Sequence, residues 1–170
     1  MPQPRFLSFY MFGLLMCFNT IASELSNFRS ITSSAITTLR SDKPIDIDRL
    51  IRMQEQLMQL GIQACSDYAL THPQDAHIIK LVIDSTNTMR NLTLAQIDSQ
   101  WHTRQALLDR NIEPEKIEHF SLIGDLMNTI IHPATAYIAL VKYKKTRDKQ
   151  LLQRAEQELS DLLQHLDHIH

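Results

Sequence analysis

The eight histidines of this chain, at positions 72, 77, 102, 119, 132, 165, 168 and 170, are the residues with the most chemistry to offer. Imidazole is the commonest metal-ligating side chain and changes charge near neutral pH. Three of the eight carry a carboxylate four residues earlier: Asp98 before His102, Glu115 before His119, and Asp161 before His165. On a helix that spacing puts both groups on one face, where the carboxylate can orient a ligating imidazole or join its coordination shell. With 19 acidic residues among 170, about one such pair is expected by chance. The same spacing also makes an ordinary surface pair worth a few tenths of a kcal/mol.

His102, His119 and His132 are the candidate metal ligands, with Asp98 and Glu115 as their orienting carboxylates. His119 falls on the apolar stripe of a long helix, so it is expected to be buried and hydrogen-bonded. His102 follows Trp101 at the edge of an apolar face, which predicts a partly buried imidazole beside an indole. His132 precedes Pro133 on the side opposite the main stripe, either exposed or filling the space that a proline kink opens. Trp101, Pro133 and Tyr137 are read as structural. A divalent metal is one cofactor this set suggests, and non-covalent haem with His and Met127 as axial ligands is another. His165, His168 and His170 end the chain, where a solvated tail is the ordinary expectation and weak Cu²⁺ or Ni²⁺ binding the sharper one.

Other chemistries are missing from the sequence. It contains no Cys-x-x-Cys-His for covalent haem, no glycine-rich phosphate loop, no His-Glu-x-x-His, no Gly-x-Ser-x-Gly and no Glu-x-x-His. Asn91-Leu92-Thr93 matches a glycosylation sequon, but Thr93 is better used in a capping box with Gln96.

The elements that must position these side chains read as helices. Glycines are few and the prolines that follow residue 22 sit at 44, 73, 114 and 133, leaving little material for β-turns. Helix one is predicted over 24–40, with Leu25, Phe28, Thr32, Ala35 and Leu39 on one stripe. Asp46 N-caps a second over 47–70, and a third runs over 74–90. Its centre, Ile78 to Ile83, is apolar enough that a buried strand is a real alternative. A fourth is predicted over 94–110 with Leu94, Ile97, Trp101 and Leu108 inward. A fifth spans 115–145 and passes through Pro133 with its stripe in register, so it reads as one kinked helix whose freed carbonyl reaches water. Asp148 caps a sixth to about 167. The fold class is therefore all-α, an up-and-down bundle of about six helices with the long fifth kinked at Pro133.

Arg5, the apolar run Phe6 to Phe18 and the small residues up to Ala22 read as a signal peptide cleaved after Ala22. The run is shorter than the roughly 20 residues of a membrane span, so membrane contact is expected only if it stays uncleaved. This gives residues 1–22 as signal and 23–170 as one helical domain, secreted, or periplasmic if the source is a Gram-negative bacterium. Cleavage removes Arg5 and no acid, leaving 16 Lys+Arg against 19 Asp+Glu, which argues against a nucleic-acid partner. It also removes Cys17, so Cys65 has no intrachain partner and is read as a small buried hydrophobe.

Three functions follow in order. The first is an exported, non-catalytic binding or assembly module for an unknown protein partner or small ligand. The second is a metal- or haem-binding bundle using His102, His119 and His132. The third is an enzyme with His119 or His102 as general base, for which no nucleophile or oxyanion device is recognisable.

Overall fold

Two side chains start helices as their chemistry predicts. Asp46 accepts a hydrogen bond from the Arg49 amide at 2.9 Å, and Thr93 and Gln96 close a capping box. The computed structural model describes residues 10–169, with residues 10–24 described by their backbone alone. Seven α-helices are present among them and no strand: α1 Tyr10–Leu39, α2 Ile47–Thr71, α3 Ala76–Met89, α4 Leu94–Ile97, α5 Gln105–Leu108, α6 Phe120–Thr146 and α7 Gln150–Leu166. Ile78 to Ile83 lie inside α3, so the strand alternative is overturned.

Four of these helices close a ring: α1 packs on α2, α2 on α6, α6 on α7, and α7 back on α1. Helix α3 packs on the outside of the α2–α6 pair. The apolar stripes explain this order. Phe28, Thr32, Ala35 and Ile36 of α1 and Leu151, Ala155, Leu159, Leu162 and Leu166 of α7 are buried. Ile123, Ile130, Ile131 and Ala134 of α6 face a second cluster built with Ile78, Ile79 and Val82 of α3. Helix α6 serves both clusters, which makes it the central element. The Asp148 carboxylate accepts from the Gln150 amide at 3.0 Å and holds the start of α7.

The predicted signal segment is only partly covered. Residues 1–9, with Arg5 and the start of the apolar run, lie outside the described residues. The α1 backbone is helical without a break across Ala22 and Ser23. Among the described residues, no helix is long and apolar enough to cross a membrane.

Two predicted helices are corrected. The segment 94–110 is not one α-helix: α4 passes into a π-helical turn, Asp98–His102, and Arg104 then takes a left-handed conformation (φ 64°) before α5. The Thr103 amide reaches back five residues to the Asp98 carbonyl. Register shifts as a result, so Leu107 is buried and Leu108, expected inward, is exposed. The long helix begins at Phe120 rather than 115, because Pro114–Lys116 forms a 3₁₀ turn and His119 is left-handed (φ 61°).

Helix α6 does run through Pro133, but its freed carbonyl does not meet water. Proline at position 133 removes the donor for the Thr129 carbonyl four residues earlier. That carbonyl is pressed against α2 at Gly61, where a Cβ would lie only 2.6 Å from the Thr129 oxygen. Pro133 itself is buried. Gly61, without a Cβ, thus lets the α2 backbone come close to the orphan carbonyl.

Candidate metal centre

The π turn, α6 and α7 bring three ligating groups together. His102 comes from the last position of the π turn, His132 from the residue before Pro133, and Glu158 from the middle of α7. One ligand atom from each lies within 4.8 Å of the others. His132 Nδ1 is 2.7 Å from Glu158 Oε2, and His102 Nε2 is 3.5 Å from the same oxygen. The two imidazoles meet edge to face, with centroids 5.2 Å apart. His132 and Glu158 are nearly dry, at 5% and 3% exposure.

A hydrogen bond between His132 and Glu158 holds this arrangement together. The contact, 2.7 Å long, is charge-assisted. Ligands on a tetrahedral ion at about 2.0–2.1 Å sit about 3.3 Å apart, so an ion replacing the proton of that bond parts the pair by about half an ångström. Burial pushes the His102 pKa down, against the opposing pull of the Glu158 carboxylate, which favours the neutral imidazole, the form that can ligate. The Thr135 hydroxyl, 2.9 Å from His102 Nε2, supplies the present partner of that nitrogen.

Arg154 anchors the carboxylates around the site. It bonds to Asp98 through one terminal nitrogen, while its Nε lies 2.8 Å from Glu158 Oε1. That second contact is an ion pair without hydrogen-bond alignment, because the Nε has no hydrogen-bond partner. Glu158 therefore has one oxygen toward a fixed cation and the other toward the two imidazoles.

A second group lies beside the first. His165 Nδ1 is 2.7 Å from Asp125 Oδ1, and His168 Nδ1 is 3.5 Å from Asp125 Oδ2. The His165 ring stacks on His132 with centroids 5.1 Å apart, and Asn128 Nδ2 lies 3.1 Å from His165 Nε2. His102 and His132 of the first group and His165 of the second line one cavity of about 190 Å³. Its other walls include Trp101, Arg104, Phe120 and Met127. The Arg104 guanidinium lies over the Phe120 ring, 4.9 Å from its centroid.

The predicted residues divide sharply. His102 and His132 lie side by side, and Trp101 is buried beside them. His119 is not buried on the α6 stripe: it ends the loop before α6, its side chain is 75% exposed, and its ring nitrogen lies 3.4 Å from Glu118. Glu115 stands exposed on the 3₁₀ turn, so the Glu115/His119 helical pair does not exist. Asp98 is 4.0 Å from His102 but bonds to Arg154. Asp161 bonds to Gln157, and His165 takes Asp125 in its place. Tyr137 packs under the Arg90 guanidinium, away from the centre.

Glu158, Asp125 and the role of His165 escape the sequence reading. A signal for Glu158 and for Asp125 was present. Glu158 sits at three- and four-residue spacings from Ala155 and Leu162, a carboxylate on the apolar stripe of α7. Asp125, Asn128, His132 and Thr135 repeat at three, four and three residues, a polar stripe on α6. Comparison of the chain with protein-family models, curated proteins and solved structures finds no match.

Proposed function

We propose that this chain is a metal-binding helical bundle whose ion is held by His102, His132 and Glu158. One observation carries the reading: two imidazoles and a carboxylate from three separate segments converge on the wall of a cavity, with His132 and Glu158 buried and His102 partly exposed. Two imidazoles and one carboxylate form a donor set suited to Zn²⁺ and other first-row divalent ions. Three protein ligands leave a coordination position for water or a small ligand entering from the cavity. Its 190 Å³ falls below the roughly 300–1,000 Å³ of pockets for drug-sized ligands, which favours an ion with a small ligand over haem. In this reading Pro133 bends α6 beside His132, and the protein works outside the cytosol after losing residues 1–22. N-terminal sequencing of exported protein checks the latter by its start at Ser23.

The direct test is titration of untagged, chelator-treated protein with Co²⁺, followed by visible absorption. Ligand-field bands of a low-symmetry N/O site are expected in the native chain and lost in His132→Ala and Glu158→Gln. Bands that persist in both variants, or protein that takes up no ion, would sink the assignment.

A further inference from the structure

The acid and imidazole of the second group repeat the first with the helices exchanged. In the first pair the imidazole, His132, is on α6 and the carboxylate, Glu158, on α7; in the second the carboxylate, Asp125, is on α6 and the imidazole, His165, on α7. Both steps along the helices are seven residues, from Asp125 to His132 and from Glu158 to His165. A seven-residue step is close to two helical turns, so each helix presents its pair of groups on one face, one above the other. Both contacts use imidazole Nδ1, and both are 2.7 Å long. Each pair also has a further imidazole from outside the α6–α7 face: His102 from the π turn and His168 from the segment after α7.

We infer that Asp125, His165 and His168 form a second metal site, and that the two sites make a two-ion centre joined across the stacked His132 and His165 rings. Ligand atoms of the second trio lie within 4.8 Å of one another, as in the first. The Asp125 side chain is 13% exposed and has no Lys or Arg partner among the described residues; its ion-pair geometry is to these two imidazoles. Its two oxygens face different histidines, Oδ1 toward His165 and Oδ2 toward His168, so an ion can replace the proton shared with His165 without a new carboxylate orientation. The sites differ in access. His168 is 67% exposed, so the second ion is open to solvent and exchanges faster than the first, which is enclosed by buried His132 and Glu158. The ligand class is a divalent first-row ion taking nitrogen and oxygen donors, with Zn²⁺, Co²⁺ and Mn²⁺ all admissible on that donor set.

The second site has its own ligands, so its occupancy is measured separately from that of the first. Untagged protein is saturated with Zn²⁺, passed over a desalting column, and its metal counted by mass spectrometry alongside a calorimetric titration. Two ions per chain are expected for the native protein, with two affinity classes. Asp125→Asn and His165→Gln should each retain one ion of the tighter class, and Glu158→Gln should lose that class. Circular dichroism on each variant distinguishes ion loss from unfolding, and His168→Ala, which alters an exposed residue, should weaken only the looser class. One ion in the native chain, retained by Asp125→Asn and lost in Glu158→Gln, overturns the second site and leaves the first standing. No bound ion at all overturns both.

Discussion

Glu158 has the chemistry of a buried carboxylate that depends on its neighbours. Its oxygens are committed to Arg154 on one side and to His132 and His102 on the other, with almost no water. Removing one member of a buried charged set strands the others, which costs about 3 kcal/mol. Glu158→Ala is therefore expected to lower the metal-free unfolding free energy by about that amount in urea, with an unchanged m value. A loss below about 1 kcal/mol would mean that the network contributes little and that water repairs it. Cys65 is the opposite case, a reactive group held inert. Burial pushes its thiol up to about 12 from 9.0, and it is fully enclosed against α6. Its contribution to stability is full below pH 9 and is lost as the pH rises toward 12, because the unfolded thiol ionises first. Peptide mapping after iodoacetamide at pH 8.5 should find Cys65 unmodified in the folded protein and modified in urea; rapid labelling of the native state would contradict this enclosure. The buried character of Cys65 and the nearness of His102 to Trp101 were legible from apolar spacing alone. Glu158 was not, because a stripe read for apolar residues passes over the one charged residue standing in it.

Two glycines in helices, with opposite surroundings, expose what the elements require. Gly61 is where α2 meets the carbonyl that Pro133 leaves free on α6, and an added methyl there collides with backbone. Gly61→Ala is expected to lose about 1–3 kcal/mol through overpacking, despite the better helix propensity of alanine. Gly124 lies on α6 with only the Phe120 ring at 3.7 Å from an added Cβ, an ordinary contact. Gly124→Ala should gain about 0.5–1 kcal/mol, the usual benefit of replacing a helical glycine. Paired thermal or urea melts check both signs, and a stabilised Gly61→Ala would remove the argument for a close α2–α6 approach. Most helices could be read from their stripes and stops, since Asp46, Thr93 and Asp148 all act at helix starts. The break in 94–110 could not. A π turn keeps the helical path while inserting an extra step, and no residue between Asp98 and His102 forbids an ordinary helix. The error propagates: Leu107 replaces Leu108 inside. His119 fails for a similar local reason, since its place on the extrapolated α6 stripe assumed a helix that starts five residues too early. The π turn and the left-handed Arg104 set the edge of the cavity on which His102 and Arg104 both lie.

At the scale of the whole molecule, in the proposed metal-binding reading, an ion at the candidate centre would act as a clasp on the bundle. The ring of α1, α2, α6 and α7 is closed by apolar packing, but the 94–117 segment joins the bundle chiefly through Ile97, Trp101 and Leu107. Binding an ion at His102, His132 and Glu158 ties that segment to both α6 and α7. The ligands converge only in the folded chain, so an ion held there would bind the native state and not the unfolded one, and stability would rise by mass action. At a free ion concentration of one hundred times Kd the gain is about 2.7 kcal/mol. For a chain of this length each kcal/mol moves Tm by about 2–4 °C, so saturating Zn²⁺ should raise Tm by about 5–11 °C. The increase should reverse on adding a chelator and vanish in Glu158→Gln, whose side chain keeps its size but loses the charge that holds the ion. The 94–117 segment supplies a further readout, because its amides should gain hydrogen-exchange protection with the ion bound while those of α1 change least. An ion that raised Tm equally in Glu158→Gln, or protected α1 and left 94–117 unchanged, would be binding somewhere other than between the π turn, α6 and α7.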